Sequence, residues 1–167
     1  NSTGYMLQRD HLFDWRTIEQ NALLGLEVKK RLNAETHAYA AELLDRYGLG
    51  AFKDYYPRQL SGGMKQKAAL IRTLAFSPEL LLLDEPFSAL DYQQRLLLAD
   101  EVHSIIKRGG YTAVLVTHDI SEAICMSDRV IILSERPARI RKQVEINMGS
   151  DTPLERRSNP LFREYYD

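Results

Sequence analysis

Leu80-Leu81-Leu82-Leu83-Asp84-Glu85-Pro86 decides the architecture. Four leucines in a row, without polar alternation, fit a strand buried on both faces of a sheet. Asp84 and Glu85 then stand at its C-terminal mouth, the edge at which open parallel sheets bind ligands. One carboxylate there suits the water shell of Mg2+, and the other suits orienting or deprotonating an attacking water. Taken alone, the pair equally fits two solvated carboxylates that cap the next turn.

Upstream, Ser61 stands at an N-cap position, and Met64, Ala68, Ile71 and Ala75 follow at helical spacing until Ser77-Pro78 stops the run. Gly62 and Gly63 behind the serine leave several backbone N–H groups and the positive end of the helix dipole open, which makes an anion site. A merely capped helix is the other reading of the same three residues. Earlier still, the chain to about Pro57 is mostly helical in pattern after a strand-like Gly4-Tyr5-Met6-Leu7. There Asn33 caps a helix with Glu35 in its first turn, an apolar face of Ala38, Ala41, Leu44 and Tyr47, and Gly48 as its stop.

Downstream, Asp91 and Gln94 read as a capping box for a helix that carries Leu96, Val102, Ile105 and Ile106 inward and closes at Gly109-Gly110. Ala113-Val114-Leu115-Val116 is a second buried strand, ending at Thr117-His118. Asp119 with Glu122 caps a short helix, and Val130 to Leu133 is a third strand. Strands alternating with amphipathic helices point to a parallel α/β sheet. If the strands ending at Glu85 and Thr117 are neighbours, Asp84, Glu85 and His118 share one crevice. A histidine at a strand end is otherwise an ordinary hydrogen-bonded surface residue.

The composition is that of an ordinary globular protein, 44% hydrophobic and 27% charged across 167 residues. Lys and Arg number 22 against 23 Asp and Glu, a net charge of -1, so no basic field invites nucleic acid or an anionic membrane surface. The single cysteine, Cys125, excludes an internal disulfide framework and reads as a small buried thiol in a reducing compartment. The longest apolar runs, Leu80 to Leu83 and Val130 to Leu133, are far shorter than the ~20 residues of a spanning helix, so a membrane role has to be peripheral.

In order and spacing, Gln8, Leu60-Ser61-Gly62-Gly63, Leu82-Leu83-Asp84-Glu85-Pro86, Ser88-Ala89-Leu90-Asp91 and His118 resemble the Q-loop, signature, Walker B, D-loop and H-loop of the ABC transporter ATPases. The resemblance runs from Gly4 to about Ile146, and Gln59 to Met64 with Leu83 to Pro86 is its most specific part. It implies an α/β, P-loop NTPase-type ABC ATPase core with a parallel sheet and flanking helices, into which an α-helical signature subdomain is inserted. Residues 1–8 would end the Q-loop strand, 9–76 form the signature subdomain and its helix, 77–146 the RecA-like catalytic core, and 147–167 a C-terminal tail.

For the site, the resemblance implies ATP and Mg2+ as ligands. Asp84 would hold the ion through its water shell with Gln8 beside it, Glu85 would serve as general base or water-orienter, and His118 would contact the γ-phosphate and steady the attacking water. Ser61, Gly62 and Gly63 of one copy would reach ATP bound to a second copy, in a head-to-tail dimer to which Asp91 contributes. No Gly-Lys pair occurs in the chain, so the phosphate-cradling loop is absent from these residues. With Asn1-Ser2-Thr3 at the start in place of a methionine, a fragment without hydrolytic activity of its own is expected.

Arg9 to Asn21, with Leu12, Phe13 and Trp15, looks like the importer pattern of Gln, Leu, aromatic Trp and Glu-Asn. The resemblance implies a permease docking there, on the cytoplasmic face of a membrane, with an extracytoplasmic solute-binding protein beyond. The three side chains fit either an aromatic docking patch or a core. Ser134 to Ile140 and Asn159-Pro160-Leu161-Phe162 are similar to the nitrate, sulfonate and taurine importer group, although Ala138 stands where that group often has Gly. The other readings are a soluble ABC ATPase unconnected with transport and a regulatory ABC subunit that binds nucleotide without turnover.

Overall fold

The computed structural model describes residues 2–149 and 152–167. Asn1, Ser150 and Asp151, which belong to the first and last of the expected segments, lie outside the described residues. A three-stranded parallel sheet is ordered β1 (Thr3–Met6), β2 (Leu80–Asp84), β3 (Thr112–Val116), with Tyr5 beside Leu82 and Leu82 beside Val114. Between β1 and β2 the chain makes α1 (Ile18–Val28), α2 (Ala34–Arg46), two short 3-10 turns and α3 (Gly62–Leu74). α4 (Tyr92–Gly109) crosses from β2 to β3, and α5 (Ile120–Met126) follows β3.

One face of the sheet is closed. Met6, Leu81 and Leu83 join Ala68, Leu70 and Ile71 of α3, Leu98, Val102 and Ile105 of α4, and Ile18, Leu26, Leu43 and Leu44 of the first two helices in one core. Gly4 is required where β1 meets α3, because a Cβ there would stand 2.6 Å from Thr73 Cγ2. The other face is open, with Tyr5, Val114 and Val116 about half exposed. The leucine run is therefore buried on alternate residues only, and β3 is not the fully buried strand its composition suggested. An apolar run announces which residues can be covered, not whether a second layer covers them.

Val130 to Leu133 also departs from expectation. It is part of β4 (Arg129–Leu133), which does not join the parallel sheet. It pairs antiparallel with β5 (Ile140–Glu145), a strand the sequence pattern did not reveal. The hairpin is closed by a hydrogen bond from Ser134 N to Arg139 O at 2.9 Å. Hydropathy marks a strand but carries no information about its partner.

The helix ends follow local chemistry, with shifts of detail. Asn33 caps α2 with Glu35 in the first turn, as expected, and Thr36 closes the capping box; the buried face is Ala40, Leu43 and Leu44, so Ala38 and Ala41 fall off it. Gly48 follows α2 in the left-handed region (φ 76°), where glycine is unstrained. Asp91 caps α4 through Gln94 N, and Leu98 takes the inward place expected of Leu96. Asp119 accepts from the N–H groups of Ser121 and Glu122, whereas the Glu122 carboxylate turns inward to accept from Thr117 Oγ1.

The C-terminal residues fold back as α6 (Pro153–Ser158) and α7 (Leu161–Tyr166). Buried Arg156 anchors them by donating to the carbonyls of Cys125, Ser127 and Gly149. Cys125 is buried, and burial pushes its thiol up to about 11.

Candidate functional site

The site forms where β1 and β2 end and the loop after β3 begins. Glu85, one residue past β2, has φ 43°, a left-handed conformation that costs a non-glycine residue about 1–3 kcal/mol. The turn is held from both sides: Glu85 N donates to Val116 O at 2.8 Å, and Glu85 O accepts from Ser88 Oγ at 3.0 Å. Backbone strain thus turns the carboxylate away from the strand direction and toward its neighbours.

Both oxygens of that carboxylate are engaged. Gln8 Nε2 donates to Oε2 at 3.0 Å, and His118 Nδ1 lies 2.9 Å from Oε1. The three side chains come from residues 77 and 33 positions apart from Glu85 in sequence, brought together because β1, β2 and β3 are adjacent. The hydrogen bond to Glu85, with its negative charge, raises the His118 pKa above the ordinary value. The imidazole is largely solvent-facing, whereas the Glu85 side chain is only 27% exposed.

Asp84 stands beside this cluster. Its Oδ2 accepts from the Tyr5 hydroxyl at 3.0 Å, and the bond together with the carboxylate charge raises the Tyr5 pKa. Tyr5 was not singled out from the sequence. It occupies the strand face that carries Leu82 and Asp84, and this becomes visible only once β1 is known to lie against β2 in that register.

Ser61, Gly62 and Gly63 are not part of the cluster. Ser61 Oγ caps α3 by accepting from Met64 N, and a Cβ on Gly62 would meet Leu90 Cδ2 at 3.1 Å. A Cβ on Gly63 would meet nothing within 4 Å. A glycine in a helix costs roughly 0.5–1 kcal/mol relative to alanine, and no contact among the described residues accounts for one at position 63. Asp91 is exposed and its carboxylate is committed to the Gln94 N–H.

Arg95 was also missed. Its guanidinium reaches Leu90 O at 3.4 Å and Asp119 Oδ2 at 3.3 Å, tying the turn after Glu85 to the loop that carries His118. Burial raises the pKa of nearby Glu122, against the lowering effect of the bond from Thr117.

Of the three apolar residues after Gln8, Leu12 is a core residue at 8% exposure, which corrects its assignment to a docking patch. Phe13 and Trp15 stack on each other at 4.7 Å, and Trp15 is 73% exposed. Buried Asn21 holds this loop by accepting from Phe13 N and donating to the carbonyls of Phe13, Arg16 and Thr17.

A family model described as ABC transporter matches residues 1–88. The chain is 48% identical over 168 residues to an uncharacterized ABC transporter ATP-binding protein, YtlC, of Bacillus subtilis, covering 99% of this chain and 65% of that protein. It is 39% identical over 170 residues to the nitrate import ATP-binding protein NrtD of Synechocystis, covering 98% and 64%. With the aliphatic sulfonates import ATP-binding protein SsuB of Bacillus licheniformis it shares 39% over 161 residues, 96% of this chain and 60% of that one. Among solved structures, a dimeric post-hydrolysis state of the ATP-binding cassette MJ0796 bound to ADP and Pi matches with TM-score 0.70 and 29% identity, over 88% of this chain and 64% of that one. The chain thus spans 60 to 65% of the length of these three curated relatives.

Proposed function

This chain belongs to the ABC transporter family, and from that premise we propose that it is the hydrolytic and signature portion of the ATP-binding subunit of an importer, acting on ATP with Mg2+. The observation that carries the reading is the grip of Gln8 and His118 on the two oxygens of Glu85, with Asp84 alongside.

The donor set suits magnesium. Asp84 keeps Oδ1 free of hydrogen bonds among the described residues while Tyr5 occupies Oδ2, and Gln8 keeps its amide oxygen free while its nitrogen holds Glu85. Hard oxygens of this kind match a hard cation, which would neutralise charge on the transferring phosphoryl group. Glu85, turned out of the strand, serves as the base or orienter of the attacking water. His118, carrying a raised pKa, presents a donor toward the γ-phosphate.

Ser61, Gly62 and Gly63 act in trans in this reading. The exposed helix start and the unoccupied space at Gly63 support the approach of a phosphate from outside the chain, and the MJ0796 cassette provides a dimeric precedent. Asp91, beside Leu90, lies at the same dimer contact. Phe13 and Trp15 form an aromatic patch for a permease helix, which would place the subunit at the cytoplasmic face of a membrane. No helix among the described residues is long and apolar enough to cross one. Relatives that import nitrate and sulfonates favour a small anionic solute, delivered by an extracytoplasmic binding protein. We divide the chain at residues 76 and 77 into signature and catalytic parts.

The test is Glu85→Gln in the full-length protein that contains this chain. ATP-dependent dimers that persist without phosphate release are expected. Undiminished hydrolysis would remove Glu85 from the mechanism.

A further inference from the structure

Between Gln8 and Trp15 the chain leaves the sheet edge and crosses the surface of α3. Residues 9 and 11 are exposed, so the crossing has no apolar anchor before Leu12. Arg72, near the C-terminal end of α3, supplies a polar anchor instead. Its fork donates through Nη2 to Asp10 O and through Nη1 to His11 O, each at 2.7 Å. Two successive carbonyls face one guanidinium because His11 adopts φ 47°. Gln66, less than two turns earlier on the same helix and buried, donates to Gln8 O at 3.4 Å. Beyond Leu12, Asn21 holds Phe13, as described above.

We propose that Arg72 is a positioning residue that makes the Gln8 end and the Trp15 end of this loop move as one body. The inference rests on the functional reading above, since it gives a route from the aromatic patch to the carboxylate that Gln8 holds. Planar, charged and bidentate, the arginine fixes both carbonyls at once; a lysine offers a single point of attachment. Without the fork, residues 9–11 become a hinge, and displacement at one end is absorbed before it reaches the other. Coupling of this kind is reciprocal: ATP changes the affinity of a partner at Trp15 by the factor by which that partner changes ATP affinity, and a loop that moves as one body carries the change to Trp15 itself.

Trp15 is the one tryptophan in this sequence, and its fluorescence reports the patch directly. In the full-length protein, with the Trp15→Phe variant subtracted, ATP is expected to change the Trp15 signal. In Arg72→Gln most of the amplitude should be lost while ATP is still bound. Arg72→Lys should retain an intermediate amplitude. A wild-type-sized signal in Arg72→Gln overturns the proposal, as does ATP binding in the wild type without any Trp15 change. If Arg72→Gln does not fold, Arg72→Lys decides: reduced amplitude supports the coupling, and full amplitude overturns it. Failure of the wild type to bind ATP at all would instead overturn the functional reading.

Discussion

Nδ1 of His118 stands 2.9 Å from Oε1 of Glu85, across the seam between β2 and β3. The contact joins a strained residue at one strand end to a solvent-facing residue at the next, and Gln8 closes the arrangement from β1. Groups that act through one another lose their effects together when mutated.

Glu85→Gln and His118→Ala are accordingly each expected to lower kcat by about 10²–10⁴-fold. The double variant should be little worse than the poorer single one. Steady-state phosphate release by the full-length protein measures this, and multiplicative losses would separate the two residues.

The pH dependence of stability carries two opposite signatures. Glu85 raises the folded pKa of His118, so this contact contributes below the unfolded value of about 6.5 and fades as pH rises through the higher folded value. For His103 on α4, burial is the first cause of a lowered pKa, followed by the charges of Arg156 and Lys107, with Asp128 and Asp100 opposing. Its contribution is present above about 6.5 and is lost as pH falls through the folded value. Urea midpoints across pH 5–8 for His118→Gln and His103→Gln should deviate from wild type at opposite ends of the range.

Tyr5→Phe keeps the ring and removes only the hydroxyl bonded to Asp84. The Mg2+ concentration for half-maximal hydrolysis should rise about 3–10-fold, the order expected from one lost hydrogen bond of about 1 kcal/mol at an exposed site. Stability should stay within about 0.5 kcal/mol, because the side chain is half exposed. Direct Mn2+ titration gives a second measurement, and an unchanged metal dependence would leave Tyr5 without a role in orienting Asp84.

Leu12 and Trp15 should separate stability from docking. Leu12→Ala empties a core position and is expected to cost about 2–5 kcal/mol. Trp15→Ala should change stability by less than about 0.5 kcal/mol yet weaken association with the permease by about 2 kcal/mol or more, as the loss of an exposed aromatic anchor does. Chemical denaturation and co-purification with the permease distinguish the two.

Cys125, buried and with its thiol raised to about 11, has only roughly one part in ten thousand as thiolate at neutral pH. It should resist thiol reagents in the folded protein and react fully in denaturant. Rapid modification under native conditions would show that α5 and α6 part readily.

Much of the site was legible because its residues sit at punctuation points of the chain. Glu85 and His118 mark strand ends, Ser61 and Asp91 mark helix starts, and the structure places all four in those positions. Local capping chemistry and apolar runs are encoded within a few residues, so they survive without knowledge of the fold. Tyr5, Arg72 and Arg95 were invisible for the converse reason. Each acquires its role from a partner at a distant point of the chain or on another element, at Asp84, at Asp10 and His11, and at Leu90 and Asp119.

The amino-acid order alone determined the alternation of strands and helices, the caps at Asn33, Ser61, Asp91 and Asp119, and the family to which the motifs belong. Only the tertiary structure decided that Leu12 is core while Trp15 is surface, that β4 turns away to pair with β5, and that Gln8 and His118 hold opposite oxygens of one carboxylate. Helix starts and strand runs are governed by neighbours in sequence, whereas burial, strand pairing and side-chain convergence depend on which segments pack together.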